Sequence, residues 1–234
     1  MRRLYPSIPH LPGSRAASDR SLSPASKEAR LCLGGARDAA AFDVIVQEKL
    51  DGSCVAIVRE NGRLVARGRE GRLASESGNE ARRMFSTWVD ENAARFDGVV
   101  DEGEVLAGEW LMLVHGTRYE LAHELFVPFD LLRDKQRAPL DELTARVATS
   151  GLTMPAVIHR GGPITIDAAC TLLGEHGKHG ALDPPEGLVY RVERLRDARV
   201  TVVAKWVRSD KVDGAYLPEN SGLEARYHRG RGPR

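Results

Sequence analysis

Cysteine is scarce in this sequence, and its three copies lie far apart. Cys32, Cys54 and Cys170 are odd in number, and none has a second cysteine at a metal-binding spacing. This usage argues against a disulfide framework and a four-thiolate zinc site, and it suits a reducing compartment. The sequence also lacks an apolar run long enough to cross a membrane, and no signal-peptide core follows Met1. We therefore expect a cytoplasmic protein with no membrane partner.

An excess of charge of one sign is also missing. The net charge is +1 over 234 residues, so no global basic field draws the protein to nucleic acid. Any contact with nucleic acid must therefore use a local patch. Aromatic residues make up only 6% of the chain, so the position of each Trp and Phe is informative. The length is sufficient for a large domain with a real core.

What the sequence does contain is a series of short apolar runs with strand composition. Helical periodicity is found near residues 77–95, 139–149 and 165–175, with Ser77 in position to begin a capping box. The strand-like runs do not alternate with helices as βαβ units do. They cover 44–50, 53–59, 63–69, 105–115, 124–132, 155–160, 186–192 and 199–207. This pattern predicts an α+β chain of antiparallel strands.

Lys49 lies at the end of the first strand-like run, beside Asp51-Gly52. Asp-Gly favours tight turns, because Gly accepts positive φ and Asp tolerates it. Asn61-Gly62 is a stronger hairpin signal and predicts that 53–59 pairs with 63–69. A lysine at the mouth of a sheet can act as a nucleophile if burial or nearby cations keep its amine neutral. The alternative for Lys49, taken alone, is an exposed side chain before a turn.

Both ends of the chain are rich in turn-forming residues. Near the start, Tyr5, Ile8 and Leu11 are apolar anchors, so we expect this region to pack along the domain with Arg15 within reach of a phosphate. Residues 221–234 are basic and rich in glycine, which predicts a disordered tail. A nucleic-acid-binding arm is the alternative for that tail.

Four charged residues interrupt otherwise apolar runs. They are Lys49, Glu109, Glu186 and Lys205. A charged group inside a packed strand is costly unless it is paired or used. Because each of the four adjoins a glycine or an aromatic residue or lies close to one, their pattern predicts a single lined pocket.

Short motifs around these residues follow one another in a fixed order. They are Lys49-Leu-Asp-Gly52, Gly108-Glu109, Phe129-Asp130, Glu186-Gly187 and Lys205-Trp206. In this order and spacing they resemble the motifs of the covalent nucleotidyltransferases, the superfamily of ATP-dependent DNA and RNA ligases and capping enzymes. The chain is most similar to the ATP-dependent RNA ligase family. That likeness rests on Glu48-Lys-Leu-Asp-Gly-Ser53, Glu186-Gly-Leu-Val-Tyr190, Ala204-Lys-Trp-Val-Arg-Ser-Asp-Lys211 and the opening Ile8-Pro-His-Leu-Pro-Gly-Ser14.

The resemblance implies an ATP-dependent RNA ligase that joins 5′-phosphate and 3′-hydroxyl ends. Residues 1–220 would form an α+β nucleotidyltransferase (ATP-grasp-like) domain, with two antiparallel sheets, flanking helices and a nucleotide groove between the sheets. Lys49 would attack the ATP α-phosphate, expel pyrophosphate and carry a lysyl-AMP adduct before the AMP passes to RNA. Lys205 would neutralise the α-phosphate and lower the pKa of Lys49 by like-charge repulsion.

Other positions that match the family would hold the nucleotide and a metal ion. Glu186 would bind Mg²⁺ or Mn²⁺, which suits a cation held by one or two carboxylates together with phosphates. Glu109 would hold the ribose hydroxyl, and Phe129 would stack on adenine. The remaining implied nucleotide contacts are Glu48, Leu50, Lys205 and one or both of Arg67 and Arg69, while Arg15 and Lys211 would contact phosphate.

The sequence departs from the family pattern at its last motif, which usually carries two lysines one residue apart. Here Lys205 is followed by Trp206, so the second position falls to Val203, Val207, Arg208 or Lys211. Two other functions compete with RNA sealing. One is nucleotidyl transfer to a different acceptor, as in a capping guanylyltransferase, and the other is a non-catalytic nucleotide- or RNA-binding module. A nicked duplex and an accessory protein for end recognition are open as partners.

Overall fold

Antiparallel strands and short helices follow one another in the computed structural model, which describes residues 3–15 and 21–231. In chain order the elements are α1 (Lys27–Leu33), β1 (Phe42–Lys49), β2 (Ser53–Glu60), β3 (Arg63–Gly68), α2 (Glu80–Glu91), β4 (Val105–Trp110), β5 (Phe126–Arg133), β6 (Gln136–Arg137), α3 (Leu140–Ala148), β7 (Val157–Gly161), α4 (Ile166–Leu173), β8 (Gly187–Arg194), β9 (Val200–Val207) and α5 (Pro218–Ser221). No helix in these described ranges is long and apolar enough to cross a membrane.

Two sheets organise these elements, as predicted. One has the strand order β7-β1-β8-β9 and the other β3-β2-β4-β5-β6, and all the neighbouring strands are antiparallel. Helices α1 and α4 contact the four-stranded sheet, while α2 and α3 contact the five-stranded sheet. The aromatic core under α2 contains Phe85, Trp110 and Phe126, which are all fully buried. The predicted α+β class with two antiparallel sheets and flanking helices is confirmed.

The two turn dipeptides have different roles. Asn61 and Gly62, both at positive φ, close the β2–β3 hairpin, in which Glu60 pairs with Arg63. Asp51-Gly52 does not close a hairpin, because β1 and β2 belong to different sheets. The chain crosses there from one sheet to the other, and Gly52 is needed because a Cβ at this position would lie 2.7 Å from the Trp110 carbonyl oxygen. Lys49 is therefore placed between the sheets.

Helix α2 begins and ends inside the range that the sequence suggested. Asn79 is its N-cap, with a side-chain oxygen that accepts a hydrogen bond from the Arg82 amide at 3.2 Å. Ser77 instead accepts from the Asn79 amide, which orders the turn before the helix. The helix ends at Glu91 and is followed by a short 3₁₀ turn over Ala93–Phe96.

The end of the chain differs from the predicted disordered tail. Residues 223–231 run along the connection between β4 and β5, where the Val114 amide donates to the Arg226 carbonyl at 2.9 Å. His228 is buried, and its Nε2 accepts a hydrogen bond from the Tyr119 amide at 3.0 Å. One imidazole thus anchors a segment whose composition alone indicated no structure. Residues 232–234 lie outside the described residues.

Candidate active site

Strand alternation places the two key lysines on one face. Successive side chains of a strand point to opposite faces, so Val46 on β1 and Ala204 on β9 pack into the core beneath α1 and α4. Their neighbours Lys49 and Lys205 face the space between the two sheets. Gly187 on the intervening strand β8 pairs with Lys49, and Glu186 directly precedes it. The period-2 pattern therefore brings residues that are distant in sequence to one surface.

The space between the sheets contains a mainly apolar cavity of about 120 Å³, which we call the apolar cavity. Its apolar walls suit a flat ring such as a nucleobase. Polar groups enter at a few points, and they include Lys49, Glu109 and Lys205. The lining residues are Tyr5, Ile8, Gln47, Glu48, Lys49, Leu50, Cys54, Arg69, Glu109, Phe129, Pro155, Val189, Arg191, Val203 and Lys205.

A second and more polar cavity of about 410 Å³, which we call the polar cavity, lies on the other side of Lys49. Lys49 and Lys205 line both cavities, so their ammonium groups mark the boundary between them. The polar cavity combines cationic or imidazole side chains with carboxylates. It is lined by His10, Arg15, Lys49, Asp51, Gly52, His115, Glu186, Lys205, Val207, Asp213, Gly214, Leu217 and Asn220. Each of the four charged residues that interrupt apolar runs therefore lines at least one of the two cavities.

Lys49 is held as a charged group, which corrects the expectation of a neutral amine. Its Nζ lies 2.5 Å from Oε2 of Glu186, and the Lys49 side chain is 19% exposed. Burial by itself would lower the pKa of Lys49, but the carboxylates of Glu186 and Glu109 outweigh burial and raise it. The charge of Lys49 acts instead on Lys205, whose pKa is lowered by burial and by that charge. The like-charge effect thus falls mainly on the second lysine.

Two glutamates of the apolar cavity, the buried Glu48 and the half-buried Glu109, have no cation paired directly with them among the described residues. Glu109 accepts a hydrogen bond from the Gly52 amide at 3.1 Å, and burial raises its pKa to about 8. Glu48 accepts from the Lys178 amide at 2.6 Å through Oε2. Its Oε1 has no hydrogen-bond partner among the described residues, although Glu48 is only 1% exposed. Burial raises the pKa of Glu48 to about 7.

The Glu48 carboxyl predicts a distinctive pH dependence of stability. Because its folded pKa of about 7 lies above its ordinary value of 4.5, Glu48 stabilises the fold below pH 4.5, and this contribution is lost as pH rises through about 7. Glu48→Gln removes that loss. We compare the free energy of unfolding of the variant with that of the wild type. The variant-minus-wild-type difference should therefore increase by up to ~3 kcal/mol from about pH 5 to about pH 8.

Urea denaturation of both proteins at the two pH values measures this gain. Glu91→Gln, an exposed position on α2, is the matched control. A difference between Glu48→Gln and wild type that stays constant across pH, as for the control, would show that Glu48 is ionised throughout.

The two candidate arginines of the β3 region have different surroundings. Arg69 lines the apolar cavity and donates from Nη2 to the Ser7 hydroxyl at 2.7 Å. Its buried Nε has no hydrogen-bond partner among the described residues. Arg67 is outside both cavities and forms a forked pair with the Glu60 carboxylate at 2.6 and 3.0 Å. Of the two, the structure brings only Arg69 to the site.

The N-terminal residues bridge the two sheets beside the apolar cavity. The Leu4 and Tyr5 amides donate to the Arg69 carbonyl after β3, while the Leu11 amide donates to the Lys205 carbonyl on β9 at 2.7 Å. Ile8 lies between these anchors and lines the cavity. The segment expected to pack along the domain therefore forms a wall of the site.

His10 and Ser14 are site residues to which the sequence reasoning gave no role. Ser14 Oγ accepts a hydrogen bond from the Val207 amide at 2.9 Å, and it lies 2.8 Å from His10 Nδ1. With the Ser14 hydroxyl proton donated to Nδ1, the ring proton of His10 is on Nε2. Burial and the charges of Lys205 and Lys49 lower the pKa of His10, which makes it a neutral donor at the polar cavity. The signal available in the sequence was a histidine set between two prolines.

Phe129 and Asp130 face different surroundings. The Phe129 ring lines the apolar cavity and meets the Tyr5 ring edge-on, with centroids 5.3 Å apart. Asp130 is 1% exposed and binds Arg191 at 2.7 Å, Arg137 at 2.6 Å and the Tyr5 hydroxyl at 3.0 Å. The carboxylate of Asp130 thus supports the cavity wall from behind.

Two of the residues expected at phosphate have protein partners. Arg15 lines the polar cavity, where its Nη1 lies 3.1 Å from an Asp213 carboxylate oxygen. Lys211 lines neither cavity. Its Nζ lies 2.8 Å from Asp51 Oδ2 and also hydrogen-bonds to Thr117. Lys211 therefore holds Asp51 in place and does not reach the space beside Lys49.

The carboxylates of the polar cavity fit a metal only in combination with another ligand. Within residues 3–15 and 21–231, no group of three or more His, Cys, Asp or Glu side chains is arranged to hold a metal ion. Glu186 and Asp51 nevertheless line the same cavity, near Lys49. Mg²⁺ is commonly held by one or two carboxylates together with substrate phosphates and water. The donor set fits such a shared cation and not a cage made by protein alone.

Comparisons with known proteins agree with this fold. A sequence profile described as RNA ligase matches residues 42–207. An archaeal ATP-dependent RNA ligase is similar in structure, with a TM-score of 0.52 and 18% identity over 87% of this chain and 48% of that one. A Naegleria gruberi RNA ligase mutant solved with AMP and Mn has a TM-score of 0.50 and 16% identity over 80% of this chain and 54% of its own.

These structural likenesses concern the fold, and the chain spans about half the length of the structures it matches. A search of curated protein sequences gives no match.

Proposed function

The chain belongs to the RNA ligase family, and from this premise we propose that it joins RNA ends in an ATP-dependent reaction. The observation that carries the proposal is the position of Lys49 at the boundary of the apolar and polar cavities. A nucleotide with its base in the apolar cavity would present its phosphates to both lysines. Phe129 would then stack on the base, and Glu109 would hold the ribose.

The proposed reaction has three steps. The neutral amine of Lys49 attacks the α-phosphorus of ATP: an N–P bond forms, the bond from that phosphorus to the bridging oxygen of the β-phosphate breaks, pyrophosphate leaves, and the nitrogen loses a proton to the solvent. A 5′-phosphate oxygen of RNA then takes the AMP and returns the Lys49 amine. Finally, a 3′-hydroxyl attacks that phosphate, loses its proton and displaces AMP.

The residues around Lys49 have separate tasks in this proposal. Glu186 must give up its contact with the ammonium group before Lys49 can lose a proton, because the pairing favours the charged form. Lys205 then disfavours recharging of Lys49 and neutralises the α-phosphate. Glu186 would also hold Mg²⁺ or Mn²⁺, which supplies positive charge to the transferred phosphate. His10 adds a neutral donor on the polar side.

Label transfer tests the proposal. Purified protein, freed of bound AMP, is incubated with α-³²P-ATP and a divalent cation, with labelled GTP in parallel. We expect acid-labile covalent label from ATP that pyrophosphate reverses. Absence of label with both Mg²⁺ and Mn²⁺ would favour a binding module, and preferential label from GTP would favour capping-like transfer. Ligation assays with single-stranded RNA ends and with a nicked RNA duplex then show which of the two is the substrate.

The arginine assignment gives a second test. Arg69→Ala should raise the KM for ATP in the labelling reaction about tenfold or more. The reason is that a guanidinium that reaches the nucleotide forms a charge-assisted hydrogen bond worth ~1.5–3 kcal/mol. Arg67→Ala, two residues away, is the matched control and should leave the ATP dependence near that of the wild type. The KM for ATP in label transfer distinguishes them. Equal effects of the two substitutions would remove Arg69 from the nucleotide site.

A further inference from the structure

We infer that residues 223–231, the C-terminal segment, form a surface that binds single-stranded RNA beside the polar cavity. The inference rests on the proposed function, since it assigns the path of the RNA strand that leads to Lys49. The segment has three arginines and one glutamate, in a protein whose net charge is only +1. The segment is therefore a local basic patch, which attracts a polyanion such as RNA.

The C-terminal segment has a fixed position on the protein. Backbone hydrogen bonds tie it to the β4–β5 connection at both ends, from the Val114 amide to the Arg226 carbonyl and from the Arg231 amide to the His123 carbonyl. Between them, the buried His228 lies 2.6 Å from the Leu111 carbonyl through Nδ1. The guanidinium groups of the C-terminal segment therefore extend from an ordered backbone. Less conformational entropy is then lost when RNA binds.

The arginines of the segment are directed outward. Arg226, Arg229 and Arg231 are all exposed. Within the described part of the chain, none of the three forms an ion pair with a carboxylate. Elsewhere on the surface many arginines are paired, for example Arg118 with Asp183 and Arg160 with Asp141. Three neighbouring unpaired guanidinium groups are suited to successive phosphates of one strand.

The patch is continuous with the polar cavity through one tyrosine. The Tyr216 amide donates to the carbonyl of His115 at 2.7 Å, and His115 lines the polar cavity. The Arg226 guanidinium lies over the Tyr216 ring at 5.7 Å from its centroid. The neighbouring Tyr227 is 44% exposed, and its hydroxyl donates to Glu80 at 3.1 Å, which holds its ring at the surface where a base could stack. His115, Tyr216 and Arg226 thus connect the polar cavity with the C-terminal segment.

RNA binding by a triple variant tests the inference. In Arg226→Ala/Arg229→Ala/Arg231→Ala, a 5′-phosphorylated single-stranded RNA should bind about tenfold or more weakly, measured by fluorescence anisotropy. The slope of log Kd against log salt should fall by ~2, since each lost phosphate contact on a single strand contributes ~0.7. Label transfer from ATP should be unchanged, because none of the three lines either cavity.

Two further variants make the result specific. Arg30→Ala/Arg37→Ala/Arg63→Ala removes the same charge from exposed positions elsewhere, and it should retain RNA affinity. Replacing the three segment arginines with lysine should restore most of the binding. Equal RNA affinities of the two alanine triples would overturn the inference while label transfer still stands. Absence of label in the wild type would instead count against the proposed function.

Discussion

Replacement of Lys49 by arginine is expected to reduce covalent labelling by α-³²P-ATP at least ~10³-fold, to the limit of detection. A guanidinium keeps its proton near neutral pH and cannot supply the lone pair that attacks phosphorus. Arginine also keeps a positive charge beside Glu186, so that this buried carboxylate stays paired. Lys49→Ala would leave Glu186 without its cation, and it is the harsher variant.

Two control measurements interpret the Lys49→Arg result. Noncovalent ATP binding, followed by a fluorescent nucleotide, should be largely retained because the apolar cavity is unchanged. Lys27→Arg, an exposed lysine paired with Asp38, serves as the control and should label like the wild type. Full labelling of Lys49→Arg would place the nucleophile on another residue. If the wild type and Lys49→Arg both bind ATP but neither becomes labelled, the protein is a nucleotide sensor.

Replacement of Asp130 by asparagine is expected to destabilise the fold by ~3–5 kcal/mol. The carboxylate is 1% exposed and neutralises two guanidinium groups, Arg191 at 2.7 Å and Arg137 at 2.6 Å. Asparagine keeps the shape but leaves Arg137 without a paired carboxylate among the described residues, and it leaves Arg191 with only the more distant Glu193 carboxylate, 3.7 Å from its Nη1. Loss of one partner of a buried ion pair is strongly destabilising because the remaining charge is desolvated. Denaturation followed by tryptophan fluorescence measures the effect.

The control for Asp130 is Asp141, which is paired with Arg160 but is 69% exposed. Asp141→Asn should cost no more than ~1 kcal/mol, since water screens an exposed pair. A loss at Asp130 as small as that at Asp141 would mean that the buried arginines find other acceptors. The Arg191 side chain has one such acceptor already, the Ala138 carbonyl at 3.1 Å.

Several features of the site followed from local sequence alone. Alternation along β1 places Lys49 on the face opposite Val46, and alternation along β9 places Lys205 on the face opposite Ala204. Asn61-Gly62 fixes the β2–β3 hairpin because both residues accept positive φ. The order of the motifs was sufficient to predict the family, which the match over residues 42–207 then showed. The first two features depend on residues that are neighbours in the chain, and the third depends only on short motifs and their order.

Other features could not be predicted from the sequence because they depend on partners far away in the chain. The charge of Lys49 is set by Glu186, 137 residues later, and that contact reverses the expected pKa shift. Whether Asp51-Gly52 closes a hairpin or crosses between sheets is decided by which strands pair. The composition of a turn does not contain that information.

The C-terminal segment and the two arginines near β3 also show what sequence determined and what tertiary structure decided. Composition alone describes residues 221–234 as basic and flexible, and in that respect the sequence determined only the charge. Tertiary structure decided that residues 223–231 are packed, because a buried acceptor for the Tyr119 amide exists only when His228 docks there. Likewise, Arg69 and Arg67 are equivalent by sequence, and the Glu60 carboxylate beside one of them separates their roles. Local patterns determine the face of its own strand on which a residue lies, while long-range contacts determine which strands lie together and the charge and partners of each residue.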